Sequence, residues 1–453
     1  MSLPHESSQA ATIPELDIFS LPVTQTANES EYCLQIRPIS TITANSVVEF
    51  VFGGEGRDYL DLARSRLYVK LKLVHADGSA LAVQELLASG KPKADGTKDE
   101  KATMVNLALH SMWNQVDVYI NGFRMSQASG MYPYKAMIQT QLGYGLDAKE
   151  TQLASCGFKM ETGANLDTYD TDTNKGLKWR HDLTRAGKTV ELEGPLLEDV
   201  MQLKRYMLNN VKVQIKLYPS QKQFFIAAND ATKDYKIVLE DIVFKACMVR
   251  VNPGVILGHA SAMETRNALY SYNKCETKSY SITPAQRTVY LDNLFQGIRP
   301  SKLVVAMVSA AAFNGSYTRN PFKFHHFELS DIALIVDGDS VPGRPLKLDF
   351  NASKGRNFIE AYVNMYEALG QSGTDFGVGI TPEAFASGHT FFVYSLDPII
   401  RSGKYMNLTK HSNVRLELNF ATPLPETMTA IIYTEIPDVF EMDRARTIIM
   451  SKQ

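Results

Sequence analysis

NVKVQIKL at residues 210–217 and NVRLELNF at residues 413–420 are the same pattern met twice in one chain. In each, apolar residues (Val211, Val213, Ile215, Leu217 and Val414, Leu416, Leu418, Phe420) alternate with polar ones. A period of two is the signature of a β-strand with one face in a core and the other in water. The match extends outward in order. Tyr206-Met207 precedes the first copy and Tyr405-Met406 the second. Further upstream, VDVYING (Val116–Gly122) recurs as IALIVDG (Ile332–Gly338), and Tyr59-Leu60-Asp61 recurs as Tyr290-Leu291-Asp292. Each Tyr-Leu-Asp is followed by an alternating run, Leu67-Val69-Leu71-Leu73 and Leu303-Val305-Met307. Two strand-rich halves can share single runs by accident, but a collinear series points to two copies of one all-β module.

Length and composition agree. At 453 residues the chain suits two domains of about 200 residues each. A formal net charge of −2 gives no global field to draw in nucleic acid, so any contact with a genome is expected to be local or indirect. Cys33, Cys156, Cys247 and Cys275 are scattered without a CxxC spacing, which argues against a zinc ribbon or a disulfide framework and fits a reducing compartment. The first residues show no basic stretch followed by an apolar one, so a secreted product is not expected. The sequons at Asn28, Asn314, Asn351 and Asn407 are then expected to stay unused. No apolar run approaches the 18 residues of a membrane span.

Along the chain, residues 1–30 read as a flexible arm rich in Ser, Thr, Ala and Pro. Strands are expected at 33–37, 47–52, 67–74, 116–120, at Val190, and at 211–217, 224–226 and 237–251. The charged segment 89–101 reads as a surface excursion without core content, absent from the second copy. Tyr134, Met137, Ile138 and Leu142 have the spacing of a short amphipathic helix stopped by Gly143 and Gly145. Residues 161–189 read as a long polar loop. Asn252-Pro253-Gly254 breaks the pattern. A second module follows, with strands expected at 289–291, 303–309, 332–336, 346–350, 390–396, 414–420 and 429–435 and a helical stretch over 358–369. About eight antiparallel strands per module is the count of a jelly roll. A parallel sheet would need a long helix after nearly every strand, and the sequence lacks them.

The sequence offers few groups for chemistry. Gly53-Gly54-Glu55-Gly56 lacks the Gly-Lys-Ser/Thr ending and the following helix of a phosphate cradle, so it reads as a turn. His325 and His326, if in a strand, point to opposite faces and cannot share a metal, even with Glu328 and Asp331 nearby. Asp170, Asp172 and Asn174 alternate like a calcium loop, but Gly176 comes one residue late and His181 stands where a closing glutamate belongs. No GxSxG, HExxH or papain-like cysteine setting occurs. Trp113 and Trp179 are too few for sugar platforms, and Trp113, opening a strand, reads as core. The 21 Tyr and 21 Phe read as core and interface anchors. Lys91, Lys93 and the Asp443–Arg446 cluster read as solvated faces. No catalytic, cofactor-binding or metal-ligating residue is assigned, no cofactor is implied, and the chain is not expected to be an enzyme.

YLDLARSRLYVKLKL, LHSMWNQVDVYINGFRMS, YPYKAMIQTQLGYG and LLEDVMQLKRYMLNNVKVQIKL, in this order, resemble the double jelly-roll major capsid proteins of Polinton (Maverick) elements and adintovirus-like viruses. PGRPLKLDF, FFVYSLDP, KYMNLTKHSNVRLELNFATPLPETMTAIIYTE and FEMDRARTI extend the resemblance to roughly residues 30–448, with 59–145 its most specific part. The 89–101 insertion is longer than the family would suggest. The resemblance implies an all-β chain of two tandem eight-stranded jelly-roll sandwiches with short helical excursions. The expected limits are an arm at 1–30, sandwiches at 31–255 and 271–440, a linker at 256–270 and a tail at 441–453. It further implies homotrimeric, hexon-like capsomers of pseudo-hexameric outline tiling an icosahedral shell around double-stranded DNA. Penton and minor capsid proteins would be partners, and the product would be assembled in the host cell into the virion capsid. Arm and tail would lie at the base of the capsomer, and loops 161–189 and 370–389 are expected to make outward and inter-subunit contacts. Competing readings are a β-sandwich carbohydrate-binding or attachment protein and a host-domesticated capsid homologue.

Overall fold

The computed structural model describes residues 4–40, 46–83, 99–168, 173–295, 297–398 and 405–450. In the first half the chain forms β1 (Asn28–Ile36), β2 (Val48–Gly53), β3 (Asp58–His75), β4 (Ala102–Met104), β5 (Trp113–Ile120), β6 (Phe123–Arg124), β7 (Thr189–Gly194), β8 (Lys212–Pro219), β9 (Ile226–Ala228) and β10 (Tyr235–Val251). The second half forms β11 (Ala268–Ile282), β12 (Thr288–Leu291), β13 (Lys302–Ser309), β14 (Leu329–Val336), β15 (Asp339–Lys347), β16 (Phe392–Ser395), β17 (Val414–Phe420), β18 (Met428–Met442) and β19 (Ile448–Met450).

The sheets run β1-β10-β3-β7 and β2-β8-β5-β6 in the first half, and β11-β18-β13-β16 and β12-β17-β14-β15 in the second. Among the described residues, leaving aside the small β4–β9 pair and β19, each half contributes eight strands. In both, one sheet has the order first-eighth-third-sixth and the other second-seventh-fourth-fifth. Two sheets wrapped in this order make a jelly-roll sandwich, so the chain is an all-β double jelly roll. Most of the sequence matches occupy equivalent places. NVKVQIKL and NVRLELNF are β8 and β17, the seventh strands; VDVYI and IALIV are β5 and β14, the fourth. Tyr59-Leu60-Asp61 is the exception, since it opens the third strand of its half, whereas Tyr290-Leu291 ends the second strand of the other.

Local chemistry fixes these elements. Val213, Ile215 and Leu217 in β8, and Val414, Leu416 and Leu418 in β17, are fully buried, while the residues between them stay in contact with water. After β5 the chain reverses through Asn121 (φ 48) and Gly122 (φ 82), and after β14 through Asp337 (φ 54) and Gly338 (φ 96). Two consecutive left-handed residues match the twist of a hairpin, and Asn, Asp and Gly tolerate that conformation. β15 begins at Asp339, well before the expected 346, and carries Pro342 and Pro345. It lies at the edge of its sheet, where a missing N–H leaves no ladder bond open, and its composition hides it from an alternation search.

Several expectations need correction. Asn252-Pro253-Gly254 starts a helix, Pro253–Ala262, rather than only breaking a strand: Asn252 Oδ1 accepts from Gly254 N at 2.8 Å and Pro253 needs no donor in the first turn. β11 begins at Ala268, inside the expected linker, and β1 begins at Asn28, inside the expected arm. The stretch expected as a tail, 441–453, holds the end of β18 and β19, which pairs with it. Residues 89–98 of the charged excursion lie outside the described residues, but Glu100, near its end, is buried. Its carboxylate accepts from Tyr235 Oη at 2.8 Å and Lys233 Nζ at 2.9 Å and lies 2.9 Å from His75 Nε2. Burial alone would raise its pKa, but the bonds from Lys233 and Tyr235 outweigh it and hold the carboxyl below its usual value.

Removing core volume at equivalent places should cost equally in both halves. Ile215→Ala and Leu416→Ala are each expected to lower the urea-unfolding free energy by about 2–5 kcal/mol, and the exposed Lys212→Ala by less than about 0.5 kcal/mol.

Candidate functional site at the seam between the sandwiches

The helix Tyr132–Gly143 was expected to show one apolar and one polar face. Instead ten of its twelve residues are buried, because it is covered by both sandwiches. Tyr134 stacks on Phe313 of the second half (centroids 5.4 Å apart) and meets Phe224 of the first edge-on at 5.7 Å. Gln139 Nε2 donates to Tyr433 Oη at 3.2 Å. Lys135 is carried inside with them. Its Nζ lies 2.8 Å from both Glu198 Oε2 and Asp199 Oδ1, and Asp199 Oδ2 accepts from the backbone N–H of Cys275, on β11, at 2.9 Å. Burial alone would lower the lysine pKa; the two carboxylates outweigh this effect and hold it above its usual value. Burial pushes Glu198 up to about 7.

Three further clasps cross the seam. Lys149 is fully buried and donates to the carbonyls of Gln141 and Val378, each at 2.6 Å, tying the last turn of the seam helix to the second sandwich. Burial lowers its pKa to about 7. Glu161 is ion-paired with the buried Arg180 and also accepts from Asn320 Nδ2 at 2.7 Å, while Asp167 accepts from Lys323 Nζ at 2.6 Å. Arg446 donates to Asn209 O and Oδ1, both at 3.0 Å, and its carbonyl accepts from Asn121 Nδ2 at 2.7 Å. The Asp443–Arg446 cluster, expected as a solvated face, thus returns the C-terminal stretch to the first sandwich.

Both loops assigned to outside contacts spend polar groups inside the chain. Residues 161–189 contain the helix Lys175–Thr184, capped by Asn174, whose Oδ1 accepts from Leu177 N at 3.2 Å. That cap is what Asn174 does in the calcium-like run; Asp170 and Asp172 lie outside the described residues, and His181 is buried beside Glu100 O at 3.1 Å. Residues 370–389 supply Val378 O, and Ile380 O accepts from Tyr362 and Tyr366. His325 and His326 sit in a turn rather than a strand, with rings stacked at 4.4 Å. Each Nδ1 accepts the N–H two residues on, from Phe327 and Glu328, and His326 stacks on Phe350 at 3.9 Å. Trp113 is buried, as core. Gly53 ends β2 and Gly54 follows it, as in the turn expected there. Lys91 and Lys93 lie outside the described residues. The four cysteines are unpaired. Among the described residues no three His, Cys, Asp or Glu side chains are grouped to hold a metal, and no helix is long and apolar enough to cross a membrane. The arrangement joins two sandwiches; it does not gather a nucleophile, base and acid around a common point.

No family model matches the sequence. An uncharacterised protein of Caenorhabditis elegans is 27% identical over 438 residues, spanning 95% of this chain and 99% of that protein. Among solved structures, the mavirus major capsid protein is similar with a TM-score of 0.56 and 11% identity, over 99% of this chain and 96% of that one. The Faustovirus major capsid protein is similar with a TM-score of 0.57 and 10% identity, over 93% and 92%. A chain of the Sputnik virophage is similar with a TM-score of 0.54 and 12% identity, over 100% and 95%. At these identities the likeness is one of fold, and it covers both sandwiches together.

Lys135→Met should leave buried Glu198 and Asp199 without their cation and cost about 3–5 kcal/mol in urea unfolding at neutral pH. Acid should also weaken the fold. Burial holds His110 and His326 at about 3 and His389 at about 4, against an ordinary 6.5. Between those values the unfolded chain binds protons that the folded chain does not, so stability present above pH 6.5 is lost as pH falls toward 4. His326→Phe, which keeps the stack on Phe350, should flatten this slope in unfolding free energy measured from pH 7 to pH 4.5.

Proposed function

We propose that this chain is a major capsid protein, and that three copies form a capsomer of pseudo-hexameric outline. The observation that carries the reading is the duplication itself: two sandwiches of identical strand order, fixed side by side by a buried seam. Three such chains present six similar blocks, and six similar blocks fill a hexagonal cell of a closed shell. Sandwiches suit a wall because they are rigid and satisfy most of their backbone bonds internally, leaving loops and edges for contacts. A net charge of −2 lets copies pack side by side without strong repulsion. The full-length likeness to viral major capsid proteins supports the reading. Within it, the sequence resemblance assigns the chain to the Polinton and adintovirus-like group, with an icosahedral shell around double-stranded DNA and separate penton and minor proteins. The functional division is an arm ahead of β1, a first sandwich from Asn28 to Val251, the connector helix Pro253–Ala262, and a second sandwich from Ala268 to Met450. The role is structural and the site of action is the virion.

One observation favours a second reading, a capsid-derived protein resident in an animal genome: a relative matched over almost its whole length is a nematode protein. Its fold and assembly would be the same.

Light scattering of the purified protein should give a species of about three times the 50.5-kDa chain, with hexagonal particles or shells in negative stain. A compact monomer across salt and pH would overturn the capsid reading.

A further inference from the structure

Two apolar features of this chain face water. The first is the arm. Phe19, Leu21 and Val23 are 95%, 91% and 100% exposed, and Leu16 and Ile18 are exposed as well. In an extended chain Phe19, Leu21 and Val23 fall on one face, because alternate residues do. The second is the connector helix Pro253–Ala262 (PGVILGHASA), none of whose residues is buried. Beside it lies a groove of about 520 Å³ walled by Met263, Leu208, Leu269 and Tyr270, with Tyr59 also lining it. That volume suits a site taking a few apolar side chains.

Charge selects what fills the groove. Lys204, Arg205 and Arg266 also line it. Among the described residues none of the three pairs with a carboxylate; Arg205 donates only to the carbonyl of Leu269, at 2.7 Å. The arm is complementary. From Met1 to Ile36 the chain has no Lys or Arg, and Glu15 and Asp17 lie just ahead of Phe19. The root of the arm is held at the edge of the groove, where Asn28 Nδ2 meets Tyr206 Oη at 3.3 Å and Ala27 O accepts from Asn252 N at 2.8 Å. Beyond that root the arm leaves its own groove empty and stands in solvent.

We propose that the arm of one copy docks in this groove of a neighbouring copy, with Phe19, Leu21 and Val23 as apolar anchors and Glu15 and Asp17 against Lys204, Arg205 and Arg266. An extended segment laid in a groove, with alternate side chains buried, is a common form of peptide recognition. The exchange would link copies by chain that each sandwich does not need for its own core. It rests on the shell-forming reading above.

Mixed crosslinking tests it. Two full-length chains are made in a Cys33→Ser background, one with Leu21→Cys and the other, carrying a size tag, with Leu269→Cys. They are mixed, assembled and mildly oxidised. The expected product is a disulfide-linked pair holding one chain of each kind, lost when Lys204→Glu and Arg266→Glu are added to the groove chain. Light scattering is run on the same samples. Oligomers without the mixed pair would overturn the arm exchange and leave the capsid reading standing. Absence of any oligomer would overturn both. A single chain bearing both cysteines that closes only on itself would place the arm in its own groove and overturn the exchange. Persistence of the mixed pair after charge reversal would overturn the ionic part of the contact.

Discussion

Lys135 carries a positive charge into the interior, and two carboxylates follow it there. An ammonium taken out of water costs several kcal/mol unless it is paired and hydrogen-bonded. Glu198 and Asp199 pair it, and Asp199 spends its other oxygen on the N–H of Cys275. Because Cys275 lies in the second sandwich, the second oxygen of that buried carboxylate is satisfied only when the second half is in place. Ten of the twelve residues of the seam helix are buried, and neither sandwich has an independent reason to present that surface to solvent. This constraint fixes the relation between the two sandwiches, and a fixed relation is what a two-block wall unit needs.

The remaining clasps share a logic. Lys149, Asn320, Lys323 and Arg446 each bring a polar group from one half to a carbonyl or carboxylate of the other. Such bonds add about 1 kcal/mol each, but leaving one half unmade costs more than making it gains. They favour one arrangement over others that would bury similar apolar area. The apolar core inside each sandwich supplies most of the stability, and the polar seam supplies orientation. What is left over is the exposed apolar arm and the outer face of the connector helix with Leu257, which lie at the same end of the first sandwich near Asn28 and Asn252. Apolar surface left in water by the intramolecular fold is the natural place to look for contacts between copies.

The duplication was legible because strand patterning is local. NVKVQIKL and NVRLELNF announce their faces through their own alternation, and Asn121-Gly122 and Asp337-Gly338 announce their turns through backbone preference. The Tyr-Leu-Asp match misled because three residues carry no topology: Tyr59 opens a third strand and Tyr290 sits in a second. The first part of β15 escaped notice because an edge strand tolerates Pro342, Pro345 and Gly343, which read as loop. The helix over 175–184 was missed because its sequence, KGLKWRHDLT, is polar enough to pass for surface, although Arg180 and His181 are buried.

The amino-acid sequence by itself thus determined that there are two all-β units, which residues face their cores and where the hairpins reverse, since each of these depends on neighbours within a few positions. Only the tertiary structure decided that Lys135, Lys149, Arg180 and Glu100 lie inside, because a charge is buried only where partners distant in sequence meet it. Glu198 lies 63 residues from Lys135, Val378 lies 229 from Lys149, and Tyr235 lies 135 from Glu100. No local pattern encodes those meetings. They exist only once the strands have closed into two sandwiches and the sandwiches have closed on each other.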